Sequence, residues 1–325
     1  MKNIKTNFAS SKLFGYILAA FSIFFWGITF VSTKYLLSDF SSSEILFYRV
    51  IAAFSCLWIL HPKREKILMK DNLLFALAAL TGVVFYQLME NVAIHFTNAS
   101  NVSVIVSICP LFTAIISQIF LKEKHLTFWF LLGFVIAITG VTLVCLNGNK
   151  ALEFNPKGDI LALLAGICWG FYSMIISILN RRKYNQICLA RRIFFFAVLF
   201  MTLIAVAGYF LKHNGIGAAD SSTGSAAIQS FYFDLSKEIN AVRFSNPFNW
   251  INLLFLGVVA NGLCFAAWNK ACQIAGTVKI NCGIYLISVV TIVFAFFVLG
   301  EKITILGAVG ALITILGLFI SEKKA

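Results

Sequence analysis

Charge is scarce in this chain. Only 12% of its 325 residues are Asp, Glu, Lys or Arg, 60% are hydrophobic, and the mean hydropathy is +0.89. So few charges cannot coat the apolar surface of a soluble domain this long, which excludes a soluble globular protein. Proline is scarcer still: Pro62, Pro110, Pro156 and Pro247 are the four, so long helices run with few interruptions. The eight cysteines form no C-x2-C pair, and most, such as Cys56, Cys109, Cys145, Cys168 and Cys264, lie inside apolar runs. No histidine stands at ligand spacing, so buried free thiols are expected rather than a disulfide framework or a metal site. No cofactor is expected either. A G-x4-G-K-[ST] phosphate loop, an H-E-x-x-H pair and a G-x-S-x-G elbow are all missing, which excludes ATP hydrolysis by that route and speaks against a membrane-embedded enzyme.

What is present suits lipid. A span needs ~20 mostly apolar residues, and ten such runs can be read: Leu13–Leu37, Glu44–Leu60, Leu73–Phe96, Asn101–Leu121, Leu126–Leu146, Gly158–Leu179, Ile187–Leu211, Trp250–Cys272, Val278–Leu299 and Ile303–Ser321. The first is too long for a signal-peptide core and has an internal counterpart, so it reads as a retained helix. Between the seventh and eighth runs, Lys212–Asn249 is rich in Gly, Ala and Ser and reads as an extramembrane loop, with a short amphipathic helix expected near Phe231–Ile239. The net charge of +13 would suggest nucleic acid in a soluble domain, but here the basic residues cluster between hydrophobic runs. Lys2, Lys5, Lys12, Lys63, Arg64, Lys66, Lys70, Lys122, Lys124, Arg181, Arg182, Lys183, Lys323 and Lys324 then share one side. By the positive-inside rule that side is the cytoplasm, which places both termini there and the long loop outside. No nucleic-acid partner is expected; the partners are the lipid bilayer and a small-molecule substrate.

The chain also repeats itself. Gly15, Ile17, Leu18, Ala19, Trp26 and Gly27 recur 143 residues later as Gly158, Ile160, Leu161, Ala162, Trp169 and Gly170, and Arg49 pairs with Arg192 at the same offset. Beyond the long loop the offset becomes 178, pairing Asn91 with Asn269, Ala93 with Ala271, Thr113 with Thr291, and Glu123-Lys124 with Glu301-Lys302. A repeat of this kind implies duplication. Five spans, an odd number, separate equivalent helices, so the two copies insert in opposite senses. The fold class is therefore an all-α membrane protein, ten transmembrane helices in two inverted five-helix repeats at 13–146 and 158–321. Secondary transporters have this architecture, with the substrate between the repeats near the bilayer midplane.

At these residues the chain resembles the EamA-type carriers of the drug/metabolite transporter superfamily. The resemblance rests on the W-G of each copy, Arg49, the run Glu90-Asn91-x-Ala93-x3-Thr97-x-Ala99-Ser100, Pro110, and the paired Leu-x-Glu-Lys at Leu121–Lys124 and Leu299–Lys302. It covers nearly the whole chain. It implies a ten-helix inner-membrane carrier with both termini cytoplasmic and a central cavity lined largely by helices 3, 4, 8 and 9. It further implies export of amino acids, other metabolites or drugs. The chain departs from the pattern in its long loop and at Ser288, where the family often has a proline equivalent to Pro110.

Several residues are candidates for the chemistry. Trp26 and Trp169 fall mid-span, either as facing walls of a cavity or as packing beside Gly27 and Gly170. Trp26, Tyr86, Trp169, Trp268 and Tyr285 are expected to border one cavity, with Gln87, Glu90, Asn91 and Asn269 completing the substrate contacts. Glu90 is the one carboxylate well inside an apolar run, on a stripe with Gly82 and Tyr86. An intramembrane acid is costly and by default functional, so Glu90 is expected to exchange a proton as substrate binds; a structural or helix-end role is the alternative. Arg49 is expected to snorkel to the headgroups, the alternatives being a pair with Glu44 or Glu90 or an anionic substrate group. Pro110 should kink helix 4, and Ser288 should bend helix 9 more weakly as its counterpart in gating. Gly133, Gly140, Gly307, Gly310 and Gly317 read as packing surfaces, with a homodimer contact as a further use. The function expected is a secondary transporter, exporting by proton antiport; an uncoupled facilitator or channel is the alternative.

Overall fold

The few prolines fall where helices begin or stop. Pro156 and Pro247 occupy first turns, where a missing N–H costs nothing, behind the N-caps Asn155 and Asn246. Pro62 follows the end of the second helix at Leu60, and Pro110 opens the second half of the fourth. Ser41 and Glu44 form a capping box: Glu44 Oε2 accepts from Ser41 N at 2.7 Å and Ser41 Oγ from Glu44 N at 3.2 Å.

The computed structural model describes residues 11–63, 65–96, 99–146, 155–213, 241–299 and 304–322. Within them ten helices of 18 to 29 residues are apolar enough to cross a membrane. They are α1 (Lys12–Leu36), α2 (Ser42–Leu60), α3 (Met69–Ile94), α4 (Val102–Leu121), α5 (Phe128–Cys145), α6 (Pro156–Asn180), α7 (Gln186–Ala207), α8 (Pro247–Ala275), α9 (Thr277–Phe294) and α10 (Ile305–Glu322). All ten coincide with the spans read from hydropathy, and the described residues contain no strand. The helix expected near Phe231–Ile239 lies outside the described residues, as do Glu301 and Lys302. The end of the expected loop is helical: Ala241–Ser245 forms a short helix and α8 already starts at Pro247.

Four helices are irregular, in two matched pairs. Leu80–Phe85 of α3 and Phe255–Leu263 of α8 are π-helical, and the 178-residue offset carries the first onto positions 258–263. A π-turn strips carbonyls of their usual helical donors, and such turns gather at functional places. Side chains of α1 supply donors here: Trp26 Nε1 donates to Ala260 O at 2.9 Å, and Ser22 Oγ to Cys264 O at 3.0 Å. The helical stretch of α4 is interrupted between Val106 and Cys109, and α9 passes through a 3-10 turn at Gly283–Tyr285, an equivalent place. Pro110 therefore does not kink a continuous helix, because it restarts one. Nor does Ser288 bend α9 by bonding back along it: its hydroxyl lies 2.5 Å from that of Ser103 on α4.

Helix contacts obey the repeat. α2 packs on α7 and α5 on α10, each helix on its own counterpart. The other main contacts come in exchanged pairs: α1 on α8 and α6 on α3, α1 on α9 and α6 on α4, α2 on α8 and α7 on α3. This is the pattern that a two-fold relation between the copies produces. Glycine sets the closest approaches. A Cβ on Gly140 would lie 2.4 Å from Thr314 N, and one on Gly317 would lie 2.3 Å from Ala137 N. The α5 and α10 glycine faces thus meet each other and act as the packing surfaces read from the sequence.

The two ends are fastened at equivalent positions. At one, Asn249 Nδ2 donates to Asp39 Oδ2 at 2.8 Å and Arg243 pairs with Glu44 at 3.2 Å. At the other, Arg182, the counterpart of Asp39, meets Asp71, the counterpart of Asn249, at 3.5 Å. Tyr184 Oη donates to Asp71 Oδ2 at 2.9 Å; burial raises this phenol above its ordinary pKa, so it stays a donor. Glu123 holds Arg181 at 2.8 Å, tying the α4–α5 turn to the end of α6.

Candidate substrate site

A small central cavity of about 40 Å³ lies between the two copies. Its walls are Trp26, Thr29 and Phe30 from α1, Arg49 from α2, Tyr86, Gln87 and Glu90 from α3, Val106 at the break in α4, Trp169 from α6, Phe265 from α8, and Ile284 and Ile287 from α9. Six of these form three equivalent pairs under the repeat offsets: Trp26 with Trp169, Gln87 with Phe265, and Val106 with Ile284. The cavity therefore straddles the relation that links the copies.

Its chemistry is lopsided. The second copy contributes Trp169, Phe265, Ile284 and Ile287, whereas both ionisable charges, Arg49 and Glu90, come from the first. The two indoles meet edge to face with centroids 5.6 Å apart, and Tyr86 lies 5.0 Å from Trp169. Both indole donors are spent on protein: Trp26 on Ala260 O, and Trp169 on Asn281 Oδ1 at 2.7 Å. They offer faces to a solute rather than hydrogen bonds.

Arg49 does not snorkel. It is buried, with Nη2 donating to Asn261 Oδ1 at 3.0 Å. Asn261 and Gln87 exchange two amide hydrogen bonds, of 3.3 and 3.2 Å, so neutral groups aim the guanidinium. Its Nε finds no partner. Among the described residues no ion pair joins Arg49 to Glu90 or Glu44, and Glu44 is taken by Arg243. No group of His, Cys, Asp and Glu among them could hold a metal ion.

Residues 13–146 and 222–322 match the EamA-like transporter family. The chain belongs to that family. It is a multi-pass membrane transporter of the EamA type. An uncharacterized transporter of Archaeoglobus fulgidus is 24% identical over 316 residues, 95% of this chain and 97% of its own. The Bacillus subtilis uncharacterized transporter YyaM is 26% identical over 309 residues, 93% of this chain and 90% of its own. A Streptantibioticus cattleyicolor protein named "Probable terminal-alkyne amino-acid exporter" is 22% identical over 255 residues, 78% of this chain and 74% of its own. A protein crystal structure shares the fold, with a TM-score of 0.68 at 12% identity over 95% of this chain and 96% of its own.

Within this EamA fold the residues singled out from the sequence divide. Trp26, Tyr86, Gln87, Glu90 and Trp169 line the cavity. Trp268 does not; it is fully buried and packs on Trp26 at 4.9 Å. Asn269 accepts from Tyr172 Oη at 2.8 Å, tying α8 to α6, and Asn91 is buried away from the lining. Tyr285 is drawn into the 3-10 turn of α9, where it faces Phe134 of α5 at 6.5 Å, and its neighbours Ile284 and Ile287 reach the cavity instead. Sequence reasoning missed Thr29, Phe30, Asn261 and Phe265. Thr29 and Phe30 could have been found, since they stand one turn from Trp26 on the same helix face. Asn261 is an amide alone in the apolar run Leu253–Ala267, a signal of the same kind as Glu90.

Proposed function

We propose that this EamA-type transporter exports small organic solutes, amino acids among them, from the cytoplasm through the central cavity, and that Glu90 exchanges a proton for the solute. The observation that carries the reading is an intramembrane carboxylate lining a cavity that straddles the two copies, where inverted-repeat carriers hold their substrates. The Lys and Arg asymmetry supports cytoplasmic termini in an inner membrane. In that orientation a wide cleft lined by Leu57, Glu65, Lys183, Asn185, Ala266 and Lys270 lies on the cytoplasmic side, from which an exported solute enters. The opposite end is closed by Arg243, which pairs with Glu44 and lies over the Phe40 ring at 4.8 Å. The name of the Streptantibioticus relative is consistent with amino-acid export.

The test begins with a thermal-shift screen of amino acids and other metabolites against the purified protein. Stabilising solutes are then loaded into proteoliposomes. A pH gradient should drive uphill flux in the wild type, and Glu90→Gln should abolish it while sparing passive counterflow. Uphill flux at the wild-type rate in Glu90→Gln would refute coupling through Glu90. Downhill flux in both proteins, indifferent to pH, would favour a facilitator instead.

A further inference from the structure

We propose that Arg49 is the anion-binding pole of the central cavity, held open for a solute carboxylate by the Gln87–Asn261 amide pair, with Glu90 as the opposite pole. This rests on the cavity being the transport site. Arg49 is 7% exposed and its Nε has no partner, though it lines a cavity. A buried guanidinium is costly unless an anion and hydrogen bonds compensate it. Its hydrogen bond goes to a neutral amide, Asn261, which takes Nη2 and is itself fixed by Gln87, while Glu90 shares the cavity without closing an ion pair on it. The buried Nε–H stays unpaired, and a planar guanidinium offers its donors as a fork that a carboxylate fills bidentately.

The second copy shows what a satisfied arginine looks like here. Arg192, the equivalent of Arg49, gives Nε and Nη2 to Asn72 Oδ1 at 3.3 and 2.9 Å and lies over Phe195 at 5.1 Å. It has left the site. Glu90 has also lost its counterpart, since the equivalent position holds Trp268, packed on Trp26. A site straddling a two-fold relation would otherwise be symmetric, and these two departures give it one cationic and one anionic pole in a single wall. A simple anion would face Glu90 unpaired and a simple cation would face Arg49. A solute carrying both a carboxylate and an ammonium satisfies both groups and leaves its apolar part for Phe265, Ile284 and Ile287.

Three probes of one shape test this on the full-length purified protein: leucine, leucinamide, which lacks the carboxylate, and 4-methylpentanoate, which lacks the ammonium. Affinities come from the concentration dependence of thermal stabilisation. In the wild type leucine should bind at least tenfold more tightly than either truncated probe. Arg49→Gln should erase the gap between leucine and leucinamide while keeping the gap to 4-methylpentanoate. Arg49→Lys, which keeps the charge and loses the fork, should narrow the first gap without closing it and serves if the glutamine variant does not fold. Equal wild-type affinity for leucine and leucinamide overturns the proposal, as does a gap that survives Arg49→Gln, or no binding of any probe. Proteoliposome flux separates the two readings. Flux of solutes lacking either charge leaves transport standing and sinks the two-pole site. Zwitterion-selective binding without flux of leucine does the reverse.

Discussion

Asn261 is where stability and binding should come apart. Its Oδ1 accepts from Arg49 Nη2 at 3.0 Å and from Gln87 Nε2 at 3.3 Å, and its Nδ2 donates to Gln87 Oε1 at 3.2 Å. Asn261→Leu keeps the volume and removes all three bonds. A hydrogen bond to a charged group is worth about 1.5–3 kcal/mol, and side-chain bonds between membrane helices average about 0.6 kcal/mol each. The loss should therefore be roughly 3–4 kcal/mol. Asn261→Asp places a carboxylate where the amide oxygen stood, in charge-assisted contact with the guanidinium. That variant should equal or exceed the wild type in stability yet bind leucine at least tenfold less, because Arg49 already has its anion. The assay is unfolding of the detergent-purified proteins beside ligand-induced stabilisation. Stability should rank Asp or Asn above Leu, whereas binding should rank Asn above both. An Asn261→Leu protein within about 0.5 kcal/mol of wild type, the scatter of an ordinary surface substitution, would show that the amide does not hold the arginine. An aspartate variant that binds leucine normally would defeat the argument from charge.

Other expectations follow from the packing and the topology. Gly140→Leu should lower stability by about 3 kcal/mol or more, or prevent folding, since its Cβ would meet backbone of α10 that has no room to yield; a normal melting curve would contradict the close α5–α10 seam. Trp169→Leu should cost about 3 kcal/mol in detergent unfolding, because the indole is buried, bonds Asn281, and stacks near Tyr86, Tyr172 and Phe265. In a cysteine-free background, an impermeant thiol reagent applied to intact cells should label a cysteine at Ser222 and not one at Lys66; the reverse pattern would invert the proposed orientation.

Hydropathy made all ten spans legible, because each helix must bury its backbone polar groups in lipid and so advertises itself as an apolar run. The duplication made the location of the cavity legible, since a site on the relation between copies draws on equivalent positions such as Trp26 and Trp169. The same logic misplaced Trp268, Asn269 and Tyr285. Equivalence predicts where a backbone lies, whereas each of these side chains is claimed by a local partner: Trp26, Tyr172 and the core beside Phe134. Arg49 was hidden for a different reason. A long cation near a helix end usually reaches water, and only the contact with Asn261, 212 positions away, reveals that it turns inward.

The paired π-turns of α3 and α8 carry a consequence for how such a protein can change. Each inserts surplus backbone into a helix that would otherwise run regularly, so a one-residue deletion there is a repair of geometry rather than a wound. Removing that residue would close the wide turn into an ordinary one and return its carbonyls to helical donors, while the faces on either side keep their places. Substitution alters such a site one side chain at a time. A single lost codon in Phe255–Leu263 would instead change the backbone of the cavity wall, taking Ala260 O back into the helix and releasing the Trp26 indole N–H, which it now occupies, toward the solute.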